Sequence, residues 1–283
     1  MRVRRNELLS SAPASSDHEL RVEIAMTREA SLEALHWTPD AASVAAMERF
    51  FADRSIVATE HGLVRLGGDY DGGYLAPDDI DDLAACFSPG VADRASFEED
   101  MVARGIPCYL ADASVDHAPI DGPLITFDPV FLGGVQRPGW TTLDAWVEEK
   151  SPDGDLILQM DIEGWEWSAL RSASDTTLER FRIMLIEMHD LHLLATSAGH
   201  RAIEETFARL NEHFVLVNVH ANNYEYPVRY RGFDLHPVIE TAWLRRDRLT
   251  ATPLRRTASD PRESVNAPGL PDFELDRRWG LRS

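Results

Sequence analysis

Only two cysteines, Cys86 and Cys108, occur in 283 residues. Each lies in an apolar stretch rather than a paired motif, which excludes a disulfide scaffold and a cysteine zinc site; both read as small buried apolar residues. Lysine is nearly missing: Lys150 is the single one, and arginine supplies the rest of the positive charge. Positive charge is itself scarce, with 28 Lys and Arg against 48 Asp and Glu, a formal net charge of −20. No basic face able to neutralise phosphates is expected, so nucleic acid is disfavoured as a partner. The cluster Arg245, Arg246 and Arg248 reads first as a solvated strand edge rather than an anion site. No run approaches the ~18 apolar residues of a membrane helix, and the basic start Met1-Arg2-Val3-Arg4-Arg5 leads into polar sequence rather than an apolar signal region. The expectation is a cytoplasmic protein with a small-molecule substrate and no membrane or nucleic acid partner, with homo-oligomerisation left open.

What the chain does have is apolar runs that end in acid. Leu156-Ile157-Leu158-Gln159-Met160 runs into Asp161-Ile162-Glu163-Gly164, and Ile183-Met184-Leu185-Ile186 runs into Glu187-Met188-His189-Asp190. Both runs are too short for helices. In a parallel sheet such runs are buried strands whose carboxyl ends open onto the ligand crevice. Glu166 to Arg182, with Trp167, Leu170 and Leu178, supplies one helical crossover, so the unit reads as β-α-β.

From residue 83 the chain alternates strand and helix, the signature of a doubly wound sheet. Strands are expected at Ala84 to Ser88, Cys108 to Ala111, Leu124 to Phe127, Leu156 to Met160, Ile183 to Glu187, Phe214 to Val219 and Val238 to Leu244. Helices are expected at Ser96 to Arg104, Thr142 to Glu149, Trp165 to Ser172 and His200 to His213, the last with an apolar stripe of Ala202, Ile203, Thr206, Phe207 and Leu210. This predicts an α/β fold with a seven-stranded, mostly parallel sheet over residues 62–250. Residues 1–61 read as a mobile polar tail followed by a helical cap, with helical patterns at Glu19 to Leu35 and Asp40 to Phe51 and Pro39 as a starter. Residues 251–283, rich in Pro, Arg, Ser and Asp, read as an extended strap. Four glycines fall between Gly67 and Gly73, implying either close backbone approach to a ligand or a plain hairpin.

Ser88-Pro89-Gly90 follows the first sheet strand, and Asp112, which ends the second, lies 22 positions beyond Gly90. That is close to the ~20 expected between a nucleotide-binding glycine turn and the acid that binds a ribose hydroxyl. A complete G-x-G-x-x-G is absent, and Glu98, Glu99 and Asp100 would repel a pyrophosphate. A cofactor with a ribose and a cationic or zwitterionic tail fits better, as S-adenosylmethionine does, although a purely structural turn gives the same spacing.

Thr142-Leu143-Asp144-Ala145-Trp146, then Leu158-Gln159-Met160-Asp161-Ile162-Glu163-Gly164-Trp165-Glu166, then Ile186-Glu187-Met188-His189 and Val219-His220-Ala221-Asn222-Asn223 appear in that order. With Arg65-Leu66-Gly67-Gly68 and Asp71-Gly72-Gly73-Tyr74, they give the chain, over roughly residues 62–275, a resemblance to the FkbM-type S-adenosylmethionine-dependent methyltransferases. Gln159 stands where that family more often has lysine, and Trp165 where a small residue is commoner. The resemblance implies a Rossmann-like class I methyltransferase fold and methylation of hydroxyls on sugars or polyketide-type natural products. It points to Gly67, Tyr74, Ser88, Gly90, Asp112, Ala113 and Asp161 as cofactor contacts.

Methylating a hydroxyl needs alignment and a proton sink, either a general base or a divalent metal that lowers the hydroxyl's pKa. Asp161 and His189 are the catalytic candidates. Asp161, Glu187 and His220 form a candidate set for Mg²⁺ or Mn²⁺, because oxygen-rich donors with one imidazole suit these ions better than zinc. Glu187, His189, His220, Asn222 and Asn223 are candidate substrate contacts. Each has a bland counterpart: a backbone cap for Asp161, an internal Glu-His hydrogen bond for Glu187 and His189, and a turn for Asn222 and Asn223. Glu163 reads as a local cap, and Trp165 and Trp167 as core or pocket wall. Two rival readings use the same residues: a metal-dependent hydrolase or lyase, and a non-catalytic nucleotide- or sugar-binding module.

Overall fold

The runs that fail to alternate in polarity do so because both of their faces are covered. In the computed structural model, which describes residues 41–281, Leu156–Met160 and Phe181–Met188 are buried at every position. Their side chains alternate between two cores: Leu158, Met184 and Ile186 enter one, while Ile157, Ile183 and Leu185 enter the other. Parallel strands between two helical layers require this.

The strands, in chain order, are β1 (Val57–Ala58), β2 (Leu63–Leu66), β3 (Tyr74–Pro77), β4 (Ala85–Pro89), β5 (Cys108–Ala111), β6 (Ile125–Asp128), β7 (Phe131–Leu132), β8 (Trp140–Thr141), β9 (Leu156–Met160), β10 (Phe181–Met188), β11 (Phe214–Ala221), β12 (Val228–Tyr230), β13 (Phe233–Leu235), β14 (Ile239–Arg245) and β15 (Leu254–Arg255). Seven form one sheet in the order β11-β14-β10-β9-β4-β5-β6. Neighbours from β10 to β6 are parallel, and β14 alone is reversed, pairing antiparallel with both β10 and β11. This mixed α/β sheet is compatible with a Rossmann-like fold.

The helices are α1 (Val44–Ala52), α2 (Ser96–Ala103), α3 (Leu143–Lys150), α4 (Glu166–Ser172), α5 (Asp175–Leu178) and α6 (Ser197–His213). Their starts are chemically explicit. Ser43, Thr142, Ser174 and Thr196 each accept a backbone N–H of the first turn, satisfying donors that a helix leaves unpaired. The stripe Ile203, Thr206, Phe207 and Leu210 of α6 is buried as its spacing predicts. Phe97 and Met101 of α2, with Leu66, Tyr74 and Ala76 of the β2–β3 hairpin, cover one face of the sheet. Residues of α1, α3, α4 and α6 cover the other.

The first expected cap pattern, Glu19 to Leu35, lies outside the described residues. The second becomes α1, which starts at Ser43 and packs into the core rather than over an opening: Phe50 meets Phe207 of α6 at 5.3 Å and Trp279 of the C-terminal segment at 6.1 Å between ring centroids. Cys86 and Cys108 are free, buried and cross-strand neighbours. Arg245, at the end of the interior strand β14, and Arg248 just beyond it pair with Asp155 and Asp79 at 2.8 and 2.7 Å, so this cluster is engaged in ion pairs rather than forming a solvated strand edge. Among the described residues no helix is long and apolar enough to cross a membrane.

Candidate active site

The chain leaves β4 for β5 and β6 on one side, then returns to β9 and builds the other half of the sheet. The carboxyl ends of β4 and β9 therefore flank the switch point where open α/β sheets bind ligands. Gly90 follows β4 with φ +90°, and a Cβ there would lie 1.6 Å from the Asp161 carbonyl oxygen. Gly90 N–H donates to Ala111 at 2.9 Å and Asp161 N–H to Pro89 at 3.2 Å. Asp112 caps this turn, accepting from Ala92 N at 2.9 Å and Ser114 N at 2.8 Å. The backbone thus brings the Gly90 turn against Asp161, with Asp112 and its chain neighbour Ala113 beside it.

Three other candidates lie differently. Ser88 is fully buried. Its hydroxyl faces Gln159 Oε1 at 2.6 Å and the Glu98 carboxyl, and Gln159 Nε2 donates to the Tyr74 hydroxyl at 3.0 Å. Burial raises the Glu98 carboxyl above the usual range. This chain explains Gln159, whose amide links a donor to an acceptor as a lysine could not. Gly67 belongs to the β2–β3 hairpin loop and donates its N–H to Asp100 at 2.7 Å. The loop closes on itself, since a Cβ on Gly73 would meet the Gly68 oxygen at 1.9 Å.

Beyond β9 the acids converge. His189 Nε2 stands 3.8 Å from Asp161 Oδ1, 3.7 Å from Glu187 Oε1 and 3.8 Å from Glu163 Oε2. Its other nitrogen, Nδ1, is held at 3.2 Å by Glu166 Oε1, which also accepts Ile162 N–H at 2.9 Å. Glu166 is completely buried, so the ring orientation is fixed from below. Asn222 Nδ2 donates to Glu187 Oε1 at 2.9 Å. Burial raises the Asp161 carboxyl to about 7, with the Glu163, Glu166 and Asp71 charges adding to the rise and His189 opposing it. Burial, reinforced by Asp161, lifts Glu187 well above its usual value. Burial works against a charged His189, but Glu166, Asp161 and Glu187 outweigh it and hold the imidazolium well above its usual pKa. At the rim Trp165 is 44% exposed, with its ring 4.5 Å from that of Trp140.

His220 is not brought into this cluster. The β14 register sets Glu240 between Glu187 and His220, and the His220 ring faces Glu240 at 3.4 Å and Asp272 at 3.8 Å. Burial lowers its pKa, but those two carboxylates carry it up to about 10. Asn223 turns to the C-terminal segment: its Nδ2 donates to Ala267 O at 3.1 Å and Pro271 O at 3.2 Å, and its Oδ1 accepts Ala267 N–H at 2.7 Å. Asn266 reaches Glu240. The segment from Asn266 to Asp276 is thereby pinned across the reversed strand.

Beside it, His236 is 1% exposed, and burial lowers its pKa to about 4, with His220 pushing the same way and Asp234 and Asp276 opposing. Its folded pKa lies below the ~6.5 of an unfolded histidine, so the unfolded chain binds more protons between those values. This contribution is complete above pH ~6.5 and is lost as pH falls toward about 4, on the order of 2 kcal/mol by pH ~5. Urea unfolding above pH ~7 and near pH ~5 should show the wild type losing that much more stability than His236→Gln. Equal losses would remove His236 as the cause.

Glu166, Gln159, Glu240, Asn266 and Asp272 carry parts of the site that strand-end reasoning passes over. A glutamate two residues past a glycine at a helix start was the available signal for Glu166, since backbone N–H groups there need an acceptor. No curated protein matches the chain. A family model, the methyltransferase FkbM domain, matches residues 101–226, a span that takes in Asp112, Asp161, Glu187, His189, His220 and Asn222, and this supports a methyltransferase.

Proposed function

We propose that this protein is an S-adenosylmethionine-dependent O-methyltransferase acting on a hydroxyl of a small molecule, a sugar or a polyketide-type natural product. The observation that carries the reading is the contact between the Gly90 turn and Asp161, which joins the glycine turn after β4 to the cluster of Asp161, Glu187 and His189. The cofactor fits the residues present. Gly90 makes the tight turn at the switch point, Asp112 keeps acceptor capacity beyond its two backbone bonds, and the exposed Glu99 in the first turn of α2 suits a cationic tail rather than phosphate. Gly90, Asp112 and Ala113 would hold it, above a floor formed by Ser88 and Tyr74; the Gly67 loop braces that floor through Asp100. Bound there, it supplies an electrophilic methyl group on a sulfonium.

The remaining work falls to the chain. Asp161 Oδ1, buried and without a hydrogen-bond partner, accepts the acceptor's proton. His189, oriented by Glu166, and Glu187, oriented by Asn222, hold the acceptor oxygen. The segment carrying Asn266 and Asp272 shields the pocket from water.

Isothermal titration with S-adenosylhomocysteine is expected to show saturable binding, and methyl-tritiated S-adenosylmethionine to label hydroxylated acceptors. Failure of both overturns the reading. The Asp161, Glu187 and His189 cluster also favours a metal-dependent hydrolase or lyase, which would turn over without the cofactor.

A further inference from the structure

We infer that Asp161, Glu187 and His189 form a site for one divalent cation, Mg²⁺ or Mn²⁺. One ligand atom from each lies within 4.8 Å of the others. The separations from His189 Nε2, 3.8 Å to Asp161 Oδ1 and 3.7 Å to Glu187 Oε1, exceed hydrogen-bond length. They lie between the two separations of donors ~2.1 Å from a common octahedral centre, about 3.0 Å when adjacent and about 4.2 Å when opposite, so a side-chain shift below ~1 Å brings them onto one ion.

A second observation is independent of the clustering. Glu187 is 5% exposed, yet its Oε2, like Oδ1 of Asp161, is buried with no hydrogen-bond partner. Buried carboxylate oxygens are ordinarily satisfied, and a cation between them satisfies both. The supporting groups match an outer shell. Glu166 takes His189 Nδ1 at 3.2 Å, which turns Nε2 toward the gap, and Asn222 orients Glu187 through Oε1 at 2.9 Å. Glu163, with Oε2 3.8 Å from the same nitrogen and its side chain 74% exposed, can swing in as a further oxygen ligand. Two or three carboxylates with one imidazole favour Mg²⁺ or Mn²⁺ over zinc.

His220 is not in the set: its ring faces Glu240 and Asp272, at 3.4 and 3.8 Å, rather than Asp161 and Glu187. The site stands on its own geometry and does not require methyl transfer; where methyl transfer occurs with the cation bound, the cation would lower the acceptor hydroxyl's pKa in place of proton acceptance by Asp161 Oδ1.

The test is a Mn²⁺ titration of the metal-stripped full chain, following free Mn²⁺ by electron paramagnetic resonance, with Mg²⁺ as competitor. One site per chain is expected. Glu187→Gln should weaken it at least ~10-fold, Asp161→Asn likewise, and His220→Asn should leave it within about 2-fold. Circular dichroism establishes that each variant is folded, and Asp161→Asn carries the test alone if Glu187→Gln is not. No saturable Mn²⁺ site, or wild-type affinity in the folded Glu187→Gln or Asp161→Asn variant, overturns the inference; so does loss of the site in His220→Asn. S-adenosylhomocysteine binding without Mn²⁺ binding would overturn the metal site and leave the methyltransferase reading standing. Mn²⁺ binding alone would do the reverse.

Discussion

Asp161→Asn is expected to lower kcat for methyl transfer by about 10²- to 10⁴-fold, the range associated with losing a positioned proton acceptor. The substitution keeps size and shape. The contacts that fix this position are made by the backbone, the Asp161 N–H to Pro89 and the carbonyl against Gly90, and asparagine preserves both. Oδ1 has no hydrogen-bond partner to lose. Stability should therefore hold or rise slightly, since a buried carboxylate becomes a neutral amide. S-adenosylhomocysteine affinity should fall by less than ~10-fold, because a group acting on the acceptor contributes chiefly to the transition state. Turnover with methyl-tritiated S-adenosylmethionine, beside calorimetric affinity, separates the two terms. A kcat within ~10-fold of wild type would show that the proton goes elsewhere.

Gly90→Ala carries the other large effect, on fold and cofactor together. A methyl group 1.6 Å from a carbonyl oxygen cannot be absorbed by rotamer change, so the ends of β4 and β9 must part. A loss on the order of 3–5 kcal/mol is expected, at the upper end for single substitutions, with S-adenosylhomocysteine affinity falling ~100-fold or more. Gly105→Ala is the control. Gly105 has φ +79° but nothing within 4 Å of the place its methyl group would take, so it should cost only the ~1 kcal/mol of left-handed backbone. Urea denaturation of both variants measures the difference. If they are equally destabilised, the close approach at Gly90 has no energetic weight.

The two proposals draw on parts of the chain that differed in how plainly they could be read. Strands β9 and β10 were legible because burial on both faces removes polar residues from a run and leaves them at its end. The Gly90 to Asp112 spacing was legible because one crossover fixes it. The reversal of β14 was not, since an apolar run looks alike in either direction. Its consequence is that Glu240 enters the crevice from the start of its strand, where a search of carboxyl ends does not look. His220 illustrates the same limit. It lies inside β11 rather than beyond it, and its partners come from the neighbouring strand and from Asp272 in a segment without regular structure. Glu166 was visible as part of a motif, but its role required the fold to bring His189 above it. Gly67 marked a real turn, whose tightness serves the turn's own closure.

The meeting of Gly90 with Asp161 has an evolutionary consequence. The β4-β5-β6 half of the sheet carries the glycine turn and Asp112, while the β9-β10-β14-β11 half carries the acids, the histidines and the pinned C-terminal segment. At the switch point Gly90 and Asp161 meet through main chain. On the proposed reading, mutation can reshape the surroundings of Trp165, Asn223 and Asp272 without altering the span between the Gly90 turn and Asp161. Were the proposed methyl transfer to take place there, acceptor preference would be free to diversify over a reaction distance that the polypeptide itself conserves.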